Sequence, residues 1–316
     1  MRKLTVVMVF ILLLQHGFSQ THYGGLSQYM FNGLVINPAY AGSREVISTT
    51  LMYRKQWLGI DDAPQSTTFS LHLPVPQQKL GLGLFVMNEQ EDIRTRLQLF
   101  ANFSYRLLLG KGKLAFGLKA GMMMQKNDLS KVLSHLDDPA DPYFSDQYPQ
   151  NKNFLNFGTG AYYYTPRFYA GVSIPLLADY EIDTLSYDYN LTLSPLNYSV
   201  FLTSGILAVT TDNFKWKPSL LLKYDASSGT MQYDLNTSFI LFSDRIWVGA
   251  SYRSDLDNTG PAIIGLLELQ LGDQWTIGYS YDYSLSGLNN YLNGTHEILL
   301  RFELCKRINA NNPRYF

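Results

Sequence analysis

Between Asp273 and Cys305 the chain alternates with a period of two. Trp275, Ile277, Tyr279 and Tyr281 fall on one side and Thr276, Gly278, Ser280 and Asp282 on the other, the repeat of a pleated strand and not of a helix. Ile298, Leu300, Phe302 and Leu304 then share a face, backed by Glu297, Arg301 and Glu303. A hairpin with one oily side and one side that can hold charge either covers a soluble core or lines a membrane barrel. The choice depends on whether the rest of the chain repeats it with unequal loops at its two ends.

The rest does repeat it. Fourteen alternating segments are predicted, over 46–57, 66–73, 80–88, 94–109, 113–126, 153–165, 167–175, 197–209, 214–225, 230–242, 244–254, 261–271, 273–284 and 294–305. Leu114, Phe116, Leu118, Ala120 and Met122 face away from Ala115, Gly117, Lys119 and Gly121, and Tyr233, Leu235, Phe239 and Leu241 away from Gln232, Asp234, Asn236 and Ser238. Buried parallel strands would read as unbroken apolar runs instead. After even-numbered segments the links are turn chemistry, such as Gly110-Lys111-Gly112, Thr165-Pro166, Ser243-Asp244 and Gly272-Asp273. Links after odd-numbered segments are generally longer, and those at about 127–152 and 176–196 exceed the ~12–15 residues usual in compact soluble domains. Short turns on one rim and long loops on the other, with an even strand count, are the pattern of a transmembrane antiparallel up-and-down β-barrel, all-β in class.

Composition agrees. Charged residues are 16% of the chain, against about 25% in soluble proteins, while 23 Tyr and 18 Phe supply rings suited to a lipid boundary. Outer-membrane lipid is therefore an expected partner. The formal net charge of −1 and the lack of a long Lys/Arg tract exclude nucleic acid as a partner. The single Cys305 forms no intrachain disulfide. Arg2 and Lys3, the apolar run Leu4 to Leu14 and small residues before Gln20 read as an export signal. Its apolar run falls well short of the ~20 residues that cross hydrocarbon as a helix.

The expected organisation is a signal peptide at 1–19, an N-terminal segment at 20–45, a barrel at 46–305 and a periplasmic tail at 306–316. The segment has neither a period of two nor one of 3.6, and Pro38 would interrupt a central strand. It is too apolar for a free tail. A plug in the lumen is expected, with a cap on the periplasmic rim as the alternative, because Gly81 and Gly83 on the inward face leave room for packing.

Three stretches carry a resemblance: Ser27-Gln28-Tyr29-Met30-Phe31-Asn32 with Ile36-Asn37-Pro38-Ala39-Tyr40-Ala41-Gly42; Tyr53-Arg54-Lys55-Gln56-Trp57-Leu58-Gly59 with Ala63-Pro64-Gln65-Ser66-Thr67; and Tyr279-Ser280-Tyr281-Asp282-Tyr283 with Gly294-Thr295-His296-Glu297-Ile298. In type and order they resemble the PorP/SprF family of type IX secretion membrane proteins of the Bacteroidetes. The resemblance implies a bacterial outer-membrane barrel of the export and gliding machinery. It implies two kinds of protein partner: a secreted adhesin-like protein with a C-terminal signal domain, and other type IX components at the periplasmic face. The residues that it marks, as structural or partner-binding positions, are Gln28, Tyr29, Asn37, Pro38, Ala39, Tyr40, Gln56, Trp57, Gly59, Pro64, Tyr281, Asp282, Gly294, His296 and Glu297. Asn37-Pro38-Ala39 is also similar to a tripeptide in the plug of fourteen-stranded fatty-acid-transporter-like barrels. Phe316 resembles a terminal insertion aromatic, but Asn309 to Pro313 separate it from the last strand, so the strand ending near Phe302 is the expected insertion signal.

No catalytic, cofactor-binding or metal site is expected. His22, His72, His135 and His296 are scattered, and no His-x-x-x-His, Cys-x-x-Cys or Gly-x-Ser-x-Gly pattern is present. The carboxylates of Asp137 to Asp146 lack the spacing of a calcium loop. Arg245, Arg253, Lys119, Asp234, Glu268, Arg301 and Glu303 are predicted on inward faces, where charge pairs or stays wet. A plugged transporter or porin for a small solute stands as the alternative to the export role.

Overall fold

The computed structural model describes residues 25–75, 79–128, 151–182, 193–194, 198–211, 213–256, 260–286 and 293–304. The export signal at 1–19, His22, His135, the acidic stretch 137–146, Cys305 and the tail 306–316 lie outside the described residues, as does most of both long links.

The strands are β1 (Ile47–Lys55), β2 (Gln65–Pro74), β3 (Leu80–Glu91), β4 (Arg94–Leu109), β5 (Gly112–Asn127), β6 (Asn151–Tyr164), β7 (Phe168–Ile182), β8 (Leu193–Ser194), β9 (Ser199–Ile206), β10 (Ala208–Thr211), β11 (Phe214–Asp225), β12 (Thr230–Leu241), β13 (Ile246–Asp255), β14 (Ala262–Leu271), β15 (Trp275–Ser284) and β16 (Thr295–Leu304). Each long strand pairs antiparallel with its neighbours in sequence, and β9 bridges β7 and β11. The sheet closes where β16 meets β1, from Ile47 opposite Leu304 to Lys55 opposite His296. β10 continues β9 along β11 beyond Leu207, and β8 is a two-residue extension paired to β7. The wall therefore has fourteen staves, as the alternation predicts. Closure removes the exposed strand edges that would otherwise invite aggregation.

The period of two sorts the side chains. Leu51, Leu82, Leu99, Phe103, Leu118, Leu202, Leu235, Ile263 and Ile298 are exposed on the outer surface, while their neighbours in sequence point inward. Aromatics gather near both ends of the outer surface. Tyr53, Tyr224 and Tyr283 sit at the ends that lead into the longer links, and Tyr105, Phe116, Trp216, Phe239 and Trp275 at the ends joined by short turns. These are the two girdles of a membrane barrel, with the short turns on the periplasmic side. Leu118, 63% exposed at the middle of β5, tests the assignment. Leu118→Arg is expected to cost about 2–4 kcal/mol in urea unfolding from lipid vesicles, and Leu114→Arg nearer the rim less, because charge on the lipid face is penalised by depth.

Several boundaries differ from the sequence reading. β7 runs to Ile182, beyond Pro175, so the second long link starts later than residue 176. Pro175 sits in a bulge: the register jumps from Phe157 opposite Ala178 to Thr159 opposite Ile174, and a residue without an N–H is tolerated there. β1 ends at Lys55 because Trp57 turns to φ 47°, which puts Gln56 and Trp57 in the rim. The link between β3 and β4 is only Asp92-Ile93, an exception to the long-loop rule. Arg245, predicted inward, is an exposed turn residue. The turn spans Phe242–Arg245, with φ of 55°, 53° and 72° at its first three positions, and Arg245 N donates to Leu241 O at 3.1 Å.

Candidate functional site in the barrel lumen

Residues 25–44 pack against the inward faces of the wall. Two short 3-10 turns, Tyr29–Phe31 and Pro38–Tyr40, shape the path. Asn37 starts the second: its Oδ1 accepts from Ala39 N at 2.9 Å, and Pro38 occupies the first helical position, where a missing N–H costs nothing. The same side chain ties the turn to the wall, with Nδ2 donating to Ala161 O at 3.0 Å. The wall accommodates this with glycine. A Cβ on Gly160 would lie 2.3 Å from Asn37 Oδ1, and one on Gly117 would lie 2.1 Å from Ala39 N. The Asn37-Pro38-Ala39 tripeptide thus rests directly on bare backbone.

The segment runs along the lumen from one end to the other. Gly25 to Gln28 meet Arg54, Arg253, Asp282 and Glu297, all close to the long-loop ends of β1, β13, β15 and β16. Farther along, Asn236 donates to Tyr29 Oη at 2.6 Å, Ser70 to Asn32 Oδ1 at 3.0 Å and Ser173 to Ile36 O at 2.6 Å. At the short-turn end Ser104 donates to Ala41 O at 2.6 Å, Arg106 to Gly42 O at 2.7 Å, and Arg44 is paired with Glu303. Arg301 links wall and segment, holding Glu268 at 2.6 Å and donating to Phe31 O at 3.3 Å.

Apolar packing fills the space between these bonds. Leu26, Met30, Phe31, Val35 and Ile36 form one cluster with inward-facing Met52, Phe85, Phe100, Trp247, Ile264 and Leu299. Phe31 meets Trp247 edge-on at 5.8 Å. The inner face is therefore not uniformly polar: alternation supplies the polar majority, and the segment takes up the apolar exceptions. Lys119, Asp234, Glu268, Arg301 and Glu303 are buried inward as predicted, and Arg253 is nearly so. Lys119 lies 4.1 Å from the centre of the Phe100 ring, a cation–π arrangement.

The resemblance-marked residues separate into four groups. Gln28, Asp282 and Glu297 come together, with Gln28 Nε2 donating to Glu297 O at 3.0 Å; Tyr29, Asn37, Pro38, Ala39 and Tyr40 continue along the segment. Gln56, Trp57, Gly59, Pro64 and Gly294 form the long-loop rim, where Gln56 N donates to Pro64 O and Leu58 N to Gly294 O, both at 2.9 Å. Tyr281 and His296 face outward, their rings 5.1 Å apart, and Tyr279 Oη lies 2.7 Å from His296 Nδ1. His72 faces inward and accepts from Gly42 N at 3.3 Å. The two described histidines thus lie on opposite sides of the wall and form no common site. Among the described residues, no group of three or more His, Cys, Asp or Glu is placed to hold a metal.

Two further residues of this site, Arg54 and Arg44, are not among those marked from the sequence. Arg54 shares strand parity with buried Thr50 and Met52, which was a usable signal. Arg44 lies in a stretch without periodicity and gave none.

A sequence model of the type IX secretion system membrane protein PorP/SprF matches residues 20–302. Among curated proteins none matches the chain. Solved structures share the fold. The toluene transporter TbuX of Ralstonia pickettii has a TM-score of 0.51 at 8% identity, covering 92% of this chain and 96% of that one. The toluene transporter TodX of Pseudomonas putida has a TM-score of 0.51 at 10% identity, covering 90% and 98% respectively.

Proposed function

Because the chain belongs to the PorP/SprF family of type IX secretion system membrane proteins, an outer-membrane barrel of that machinery, we propose that it supports export or surface retention of a large adhesin-like protein through that protein's C-terminal signal domain. The observation that carries this reading is the packed lumen. With residues 25–44 lying along the inner wall from end to end, the segment acts as a plug and the surfaces left for a partner protein are the rims. The long-loop rim, built on Gln56–Pro64 and Gly294, receives the client outside the cell. The short turns meet other type IX components in the periplasm. The role is non-enzymatic, and no cofactor takes part. Deletion of the gene is expected to abolish surface attachment of the adhesin, as read by immunoblots of cell and medium fractions. Unchanged export and attachment in the deletion strain would refute the role.

A second reading is a plugged transporter. A cleft between the segment and the wall, lined by Tyr29, Met30, Ile36, Asn37, Tyr162 and Tyr169, favours it, as does the fold shared with TbuX and TodX. Solute uptake by vesicles carrying the native protein would support this reading over the first.

A further inference from the structure

The hold on Gly25–Gln28 differs from the rest of the lumen because it takes successive backbone groups in pairs, two amides on one carboxylate and two carbonyls on one guanidinium. Glu297 accepts from two successive amides, Ser27 N at 3.0 Å and Gln28 N at 2.8 Å. Arg253 donates to Leu26 O at 3.0 Å and Gly25 O at 3.4 Å, while Asp234 fixes its guanidinium through both carboxylate oxygens at 2.8–3.1 Å. Arg54 completes the group, reaching Glu297 at 3.1 Å, Asp282 at 2.9 Å and Ser27 Oγ at 2.7 Å, and Ser27 Oγ donates to Asp282 at 2.6 Å. Two amides and two carbonyls of four consecutive residues are thus bound by Glu297 of β16 and Arg253 of β13, while Arg54 of β1 and Asp282 of β15 hold the Ser27 hydroxyl. Charge-assisted bonds of this kind are about twice as strong as neutral ones.

From this geometry we infer that Glu297, Arg253, Arg54 and Asp282 form a peptide-binding site at the outer end of the lumen, filled in the closed state by the chain's own Gly25–Gln28. The inference rests on the reading of residues 25–44 as a plug and adds which end lets go. At the short-turn end the segment runs covalently into β1, and Arg106 and Glu303 hold Gly42 and Arg44. At the long-loop end, among the described residues, the hold is entirely non-covalent. The plug is therefore a gate hinged at the periplasmic end and latched under the outer rim, and the site's ligand is a short polypeptide segment recognised through its backbone.

The test uses the full chain in planar lipid bilayers with potassium chloride, in a Cys305→Ser background. Glu297→Gln, which keeps shape but removes the charge that binds both amides, is expected to raise open probability roughly ten- to hundredfold, the equilibrium worth of a charge-assisted hydrogen bond. A Ser27→Cys/Asp282→Cys pair, oxidised, should hold the channel silent, and reduction should release it. A synthetic peptide of residues 25–32 should block the Glu297-intact variant lacking residues 22–31 from the long-loop side only. For variants that insert poorly, labelling of Ser27→Cys by an impermeant maleimide gives a second reading, and Glu297→Gln should accelerate it by the same factor. If Glu297→Gln stays as silent and as protected as the native protein while deletion of 22–44 conducts, the latch is wrong and the plug stands. If the deletion is also silent, the plug reading itself fails.

Discussion

Removal of residues 22–44 is expected to open an aqueous path through the barrel, read as stable conductance steps in planar bilayers that the intact protein should lack. The expectation follows from what the segment touches. Ser173, Ser104, Asn236 and Arg301 all direct polar atoms at it, and once it is gone those groups turn to water. Fourteen staves enclose more room than the eight whose own side chains fill a small barrel, and fewer than the sixteen or so of an open porin. The shortened protein still closes, because β16 pairs with β1 over nine registered positions that do not involve the segment. Its stability falls nonetheless. Phe31, Leu34 and Val35 are fully or almost fully buried, and each such side chain contributes about 1.5–3 kcal/mol. A lower unfolding temperature on heat-modifiability gels should accompany the new conductance. A folded deletion variant that stays silent would mean that the inner wall closes without the segment.

Glu268→Ala is expected to destabilise the barrel by about 3–5 kcal/mol, the cost of leaving a buried ionic partner uncompensated. Glu268 and Arg301 are each only 2% exposed and 2.6 Å apart, and Arg301 also donates to Phe31 O. Loss of the carboxylate strands a guanidinium whose next acidic contact, Glu303, is 4.0 Å away and already engaged with Arg44. Replacing both partners by apolar groups, as in Glu268→Leu/Arg301→Met, removes the charge with its countercharge and should recover most of the loss. Urea titration in vesicles measures the cycle. Equal destabilisation by the single and double variants would show that the pair is not coupled.

The wall was legible because alternation is a local property. Leu114 to Met122 against Ala115 to Gly121 can only be one stave with two faces, and the observed strand repeats that assignment. Where the reading slipped, a residue obeyed its neighbours in space. Pro175 looks like a terminator but lies in a bulge, and Arg245 fits the parity of a strand but lies in a left-handed turn. The segment's interior course was not legible. Its partners lie across the sheet, with Ser27 bonded to Glu297 and Arg44 to Glu303 at separations that no local pattern encodes. The resemblance marked Gln28, Asp282 and Glu297 among fifteen positions without grouping them, and the three meet in one cluster at the long-loop end of the lumen.

The lengthwise course of residues 25–44 also sets an order of assembly. Ser27, Gln28 and Arg44 have the carboxylate partners Glu297 and Glu303 on the last stave, so those bonds cannot form until that stave is present. Such pairing of beginning with end is the slowest kind of contact to form. A chain truncated before Glu297 is therefore expected to keep most of the wall's strands yet lose the carboxylates that hold Ser27, Gln28 and Arg44.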